Sequence, residues 1–69
     1  MIKELKLESE YIKLDQLLKV SEVAVTGGHA KILILNGEVK VNQNIVTQRG
    51  KKIKVGDIVE VEGIEIKVV

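Results

Sequence analysis

The apolar residues of this chain change their spacing at Gly37. Ahead of it, Leu14, Leu17 and Leu18 recur at i, i+3 and i+4, and Ala30, Leu33 and Ile34 repeat that pattern. Beyond it, Val39 and Val41, then Val59 and Val61, then Ile64, Ile66 and Val68 alternate with polar residues or turns. The first spacing lines one face of a helix; the second lines one face of a strand. Residues 13–20 therefore read as a short helix, with Asp15 in its first turn where it complements the helix dipole. Thr26 is a good N-cap for a second helix, Gly27 and Gly28 follow it, and Asn36-Gly37 ends it with Gly37 suited to the left-handed position. Val20, Val23 and Val25 make a short apolar connection between the two. Leu5 and Leu7, set between charges, place a half-buried strand ahead of the helices. After Gly37, turns are expected at Asn42-Gln43-Asn44, Val55-Gly56-Asp57 and Glu62-Gly63, with Ile45-Val46 resuming a strand. Thr47–Lys54 reads as a polar, basic segment. The order predicts an α+β fold, two short helices packed on a small, mostly antiparallel sheet with β-hairpins.

Size and composition exclude several function classes. The chain has 69 residues, which suits one domain over 1–69 with no room for a second domain or a large active-site cavity. It has no cysteine and one histidine, His29, so disulfides, thiolate metal sites and a histidine metal cluster are not expected. With Ser9 and Ser21 its only serines, no acid–base constellation emerges, and neither catalysis, a cofactor nor a small-molecule substrate is expected. The longest apolar run, Ile32–Leu35, is far short of the roughly 20 residues that span a bilayer. The N-terminal residues alternate charge with leucine, unlike a signal peptide. A cytoplasmic protein with no membrane partner is the expectation. Tyr11 is the sole aromatic residue. Readers of single-stranded RNA stack bases on several rings, so a nucleic-acid binder of this composition should grip backbone and shape instead.

The net charge of +1 conceals an asymmetry. Residues 31–55 carry +5 and residues 56–69 carry −3. Arg49, Lys51, Lys52 and Lys54 supply most of the excess around Gly50. A localised basic patch matters more for phosphate binding than the total charge does.

Four blocks then match one family. Lys13-Leu14-Asp15-Gln16-Leu17-Leu18 resembles the opening "RLD-x-x-L" of the S4-like RNA-binding domain, or alpha-L motif. Ala30 to Gly37 resembles its "A-x-x-L-I-x-x-G", and Glu38-Val39-Lys40-Val41-Asn42 its "x-V-x-V-N-G". Val55-Gly56-Asp57-Ile58-Val59 is similar to its "GD-x-I/V" block. Together they cover residues 11–61. Thr26-Gly27-Gly28-His29-Ala30-Lys31 and Arg49-Gly50-Lys51-Lys52 most resemble the small stand-alone bacterial subgroup, the YaaA-like proteins. The resemblance implies a two-helix unit with a β-hairpin that docks on structured RNA, often ribosomal, with a role in ribosome assembly or translation. Three departures stand out. Gly27-Gly28 replaces the Ser-Arg that many members carry. Gln43 replaces the glycine after Asn42, which puts the turn geometry in question. Ile32 and Leu35 fall where the family is often polar.

These readings define a candidate RNA-binding set: Lys13, Gln16, Thr26, Gly27, Gly28, His29, Lys31, Lys40, Arg49, Lys51 and Lys52. Gly27 and Gly28 either let a phosphate approach the open amides of the second helix or simply form a tight turn. His29 either contacts RNA or caps the helix. Lys31 should point outward beside the buried Ala30, and Lys40 should extend the patch from the strand. Arg49 is suited to bidentate phosphate contact. Asp15 reads as a helix-start residue and Asn42 as a turn residue. Ile32 and Leu35 are expected to be buried against a neighbouring strand. The rival is that they form an exposed apolar contact for a protein partner, in a module that does not bind RNA.

Overall fold

A computed structural model describes residues 1–69. In chain order the elements are β1 (Ile2–Leu5), β2 (Ile12–Lys13), α1 (Leu14–Val20), α2 (Gly27–Leu35), β3 (Val39–Val41), β4 (Asn44–Ile45), β5 (Lys52–Ile53), β6 (Ile58–Val61) and β7 (Ile64–Val68). Five strands form one sheet in the order β1-β7-β6-β3-β4, and β2 pairs with β5 in a separate two-stranded ribbon. Every pairing is antiparallel except β1 with β7, where the first strand lies parallel to the last. The expected α+β architecture is therefore the observed one.

The alternating residues after Gly37 form the sheet's inner face. Val39, Val41, Val59, Val61, Ile66 and Val68 are buried against Leu14, Leu17 and Leu18 of α1 and Ala30, Leu33 and Ile34 of α2. No polar or charged residue is buried with them. Ala24 and Ile53 complete the core.

Both helices end in the same way. At α2 the Glu38 amide donates to the Leu33 carbonyl and the Gly37 amide to Ile34, each at 3.1 Å, with Gly37 at φ 73°. At α1 the Val23 amide donates to Leu18 at 3.0 Å and the Glu22 amide to Lys19 at 3.1 Å, with Glu22 at φ 63°. These are Schellman closures, which require a left-handed residue past the helix end. Lys3 Nζ reaches from β1 to the Ser21 carbonyl at 2.9 Å and places a cation at the α1 C-terminus. The β3–β4 turn has positive φ at both central residues, Asn42 at 50° and Gln43 at 72°. This is the primed geometry that matches strand twist. Gln43 thus holds a left-handed conformation that glycine adopts more readily.

The expected burial of Ile32 and Leu35 is not what the structure has. They are 57% and 54% exposed. The inner stripe of α2 is Ala30–Leu33–Ile34, residues 32 and 35 fall on its opposite side, and no strand covers that side. Val20 and Val25 are likewise exposed, and the small Ala24 of the connection is buried instead. No helix is long and apolar enough to cross a membrane.

Candidate nucleic-acid interface

The basic segment is fixed in place by one apolar residue. Ile53 is fully buried and pairs with half-buried Ile12 in the β2–β5 ribbon. Alternation along both strands then turns Lys13 and Lys52 outward, directly opposite one another. Like charges facing each other across a pair of strands are destabilising, so the Lys13–Lys52 pair itself does not stabilise the ribbon.

Just before β5 the chain makes a tight turn, with the Lys51 amide donating to the Gln48 carbonyl at 3.2 Å. That turn closes the start of α1. The Leu14 amide donates to the Lys51 carbonyl at 2.9 Å and the Asp15 amide to the Arg49 carbonyl at 3.1 Å. Lys13, the N-cap residue, contributes no side-chain cap. Asp15 accepts from the Gln16 amide through Oδ1 at 2.8 Å, which fits the structural role expected of it. The backbone of the basic segment therefore serves the helix, while its side chains remain in solvent. Arg49, Lys51 and Lys52 are all exposed, as are Lys13 and Gln16. None of these four cations donates a side-chain hydrogen bond within the molecule.

Thr26 caps α2 as expected, its Oγ1 accepting from the His29 amide at 3.1 Å. His29 is folded back on the turn, and its Nδ1 accepts from the Val25 amide at 3.3 Å. Gly27 and Gly28 have no steric reason to be glycine. A Cβ on Gly27 would meet nothing within 4 Å, and one on Gly28 would meet only Thr26 Oγ1 at 3.8 Å. Neither has a positive φ. The tight-turn explanation thus has no support in the backbone, and the first amides of α2 open directly to solvent. Lys31 is exposed on the same helix.

Lys40 stands apart. Its neighbours Val39 and Val41 face the helices, so Lys40 projects from the opposite face of the sheet, paired with Glu60, which in turn pairs with Glu65. A recess of about 440 Å³ lies there, and Glu38, Glu60, Glu62 and Glu65 line it alongside Lys40. Lys40 is thus set among carboxylates, on the face of the sheet turned away from the helices and from the lysines around α1.

Sequence reasoning missed three contributors. Ile53 was concealed among lysines, although Tyr11-Ile12-Lys13 and Lys52-Ile53-Lys54 share one polar–apolar–polar rhythm that signals a ribbon. Asn42 and Asp57 form a latch. Asn42 Nδ2 donates to Asp57 Oδ1 at 3.1 Å, Asn42 Oδ1 accepts from the Ile58 amide at 3.0 Å, and Asp57 Oδ2 accepts from the Lys54 amide at 2.8 Å. The latch joins the β3–β4 turn to the loop that follows β5. Tyr11 is the third: Lys52 Nζ lies 4.8 Å from its ring centroid.

The S4 domain family model matches residues 5–69. The chain belongs to the S4 domain family. A relative in Bacillus subtilis (strain 168), described as "Probable ribosome maturation protein RlbA", is 41% identical over 63 residues, spanning 91% of this chain and 89% of that protein. Within this S4 domain, most motif residues carry the fold. Leu14, Leu17, Ala30 and Leu33 are core, Asp15 organises a helix start, and Asn42 and Asp57 are the latch. The solvent-facing cations lie on the scaffold these residues build.

Proposed function

We propose that this S4-domain protein is a non-catalytic RNA-binding protein that docks on structured RNA, ribosomal RNA or a ribosomal particle, during ribosome maturation. The observation that carries the reading is the arrangement at α1. A loop whose backbone is consumed in capping the helix presents Arg49, Lys51 and Lys52 beside Lys13, with no internal side-chain hydrogen bond from any of them. Four unpaired cations, two of them in a mutually repulsive pair, are explained by an anionic partner. Gly27-Gly28 and Lys31 on the adjoining helix form a second point of attachment, where the free amides and the dipole of α2 favour a phosphate. The name of the Bacillus relative supports the ribosomal assignment. Folded RNA presents phosphates and 2′-hydroxyls in a shallow groove, which suits a reader of shape.

The test is binding of the purified protein to ribosomal RNA and ribosomal subunits across a salt series. With four to six phosphate contacts, affinity should fall by about 10²–10³ between 50 and 200 mM salt. The Lys51→Glu/Lys52→Glu variant, with its fold verified by circular dichroism, should lose at least tenfold (roughly two phosphate contacts). Binding that ignores both salt and the variant would sink the reading. The exposed Ile32 and Leu35 favour a second one, a protein-interaction module, which predicts a partner that survives the charge reversal.

A further inference from the structure

We infer that Tyr11 is a stacking platform for one unpaired RNA base, with the neighbouring lysines holding the phosphates on either side of that nucleotide. The inference rests on the RNA-binding reading above and names what that surface recognises. A single ring cannot line a single-stranded tract, but one ring suffices for one base.

The ring stands outside the core. It is 38% exposed and is not one of the fourteen core residues. Its hydroxyl makes no hydrogen bond within the molecule. It lies one residue before β2, on the same side of the strand as Lys13, while Ile12 between them turns inward. Lys52 Nζ is 4.8 Å from the ring centroid. A recess of about 280 Å³ opens at this spot, lined by Glu10, Tyr11, Lys52 and Lys54. Tyr11, two lysines and one glutamate thus meet at one recess, with the Lys52 ammonium over the ring. A nucleobase has a π-face for the ring and amino or imino hydrogens for a carboxylate acceptor, and its phosphates match the lysines. A phosphate alone would not explain Glu10, and a purely apolar ligand would not explain the charges. Bases inside an RNA helix cannot reach such a recess, whereas bulged or splayed bases can.

Since Tyr11 is the only tyrosine, protein made with 3-fluorotyrosine has a single ¹⁹F resonance that reports this ring alone. Two probes suffice at low salt, a hairpin RNA with one bulged adenosine and the same hairpin without the bulge. The expected result is an upfield ring-current shift with the bulged hairpin only. Tyr11→Leu should then weaken binding of the bulged hairpin by roughly 5- to 150-fold, the range for losing one base–aromatic stack, and Tyr11→Phe should bind as wild type. If both hairpins bind, the resonance stays put and Tyr11→Leu binds normally, the platform is wrong and the RNA-binding reading stands. Equal shifts with both hairpins also overturn it, because the ring would then be meeting backbone instead of a base. If neither hairpin binds, both readings fall together.

Discussion

Gly37, Glu22 and Gly28 separate three reasons for a residue's identity. Gly37 closes α2 at φ 73°, and glycine is the residue that adopts this conformation without strain. Glu22 closes α1 by the same hydrogen bonds at φ 63° but is not glycine. One closure was therefore readable from the sequence and the other was not. Gly28 is the reverse case, since neither conformation nor space demands it. Gly28→Ala should therefore leave the melting temperature unchanged or slightly raised, because alanine is the better helix former. It should weaken RNA binding by about 1 kcal/mol, the scale of one hydrogen bond hindered at the helix start. Thermal unfolding and an RNA titration on the same preparation would check both halves. A loss of stability would return the glycines to a structural role.

At the scale of elements, the β2–β5 ribbon holds a pair of like charges. Lys13 and Lys52 face each other across it. Replacing Lys13 with glutamine removes the repulsion and retains the backbone pairing. Lys13→Gln should raise stability in urea unfolding by about 0.2–0.5 kcal/mol while reducing RNA affinity and the steepness of its salt dependence by about one phosphate contact. Equal affinity and an unchanged salt slope would remove Lys13 from the interface. The latch between Asn42 and Asp57 belongs to this scale as well. Each residue is in a recognisable family block, yet spacing alone placed Asn42 only in a turn. The contact between the blocks exists because β3 and β6 pair, which brings the turn after β3 beside the residues that lead into β6.

At the scale of the whole molecule, the charge asymmetry along the chain becomes a difference between faces. Most of the positive excess gathers where the 49–52 segment meets α1. Glu60 and Glu65 lie on the outer face of the five-stranded sheet, with Glu62 at its edge turn. Lys40 lies among them, away from the helices. Lys40→Glu should therefore leave ribosomal RNA binding essentially unaltered at moderate salt, while the charge reversal at Lys51 and Lys52 abolishes most of it. The two changes alter local charge in the same direction, so comparing them side by side in one titration separates a specific face from general electrostatics. Lys40→Glu changes the net charge by two units and the double reversal by four, so a Lys40→Glu loss about half that of the double variant in free energy would mean that only total charge matters.

The sequence by itself determined both helices, their buried stripes, the Thr26 cap, the Gly37 closure, the turns of the β-region and the presence of a basic segment. These are local properties, because each depends on residues a few positions apart and on the period of the backbone. Tertiary structure decided the rest. It paired β1 with β7 in parallel, set Ile12 against Ile53, and gave Arg49 and Lys51 the task of capping α1 through their carbonyls. It left Ile32 and Leu35 in solvent because no further layer covers α2. It also put Tyr11 beside Lys52. Such contacts join segments far apart along the chain, and which segments meet is set by how the two helices and the sheet share one core.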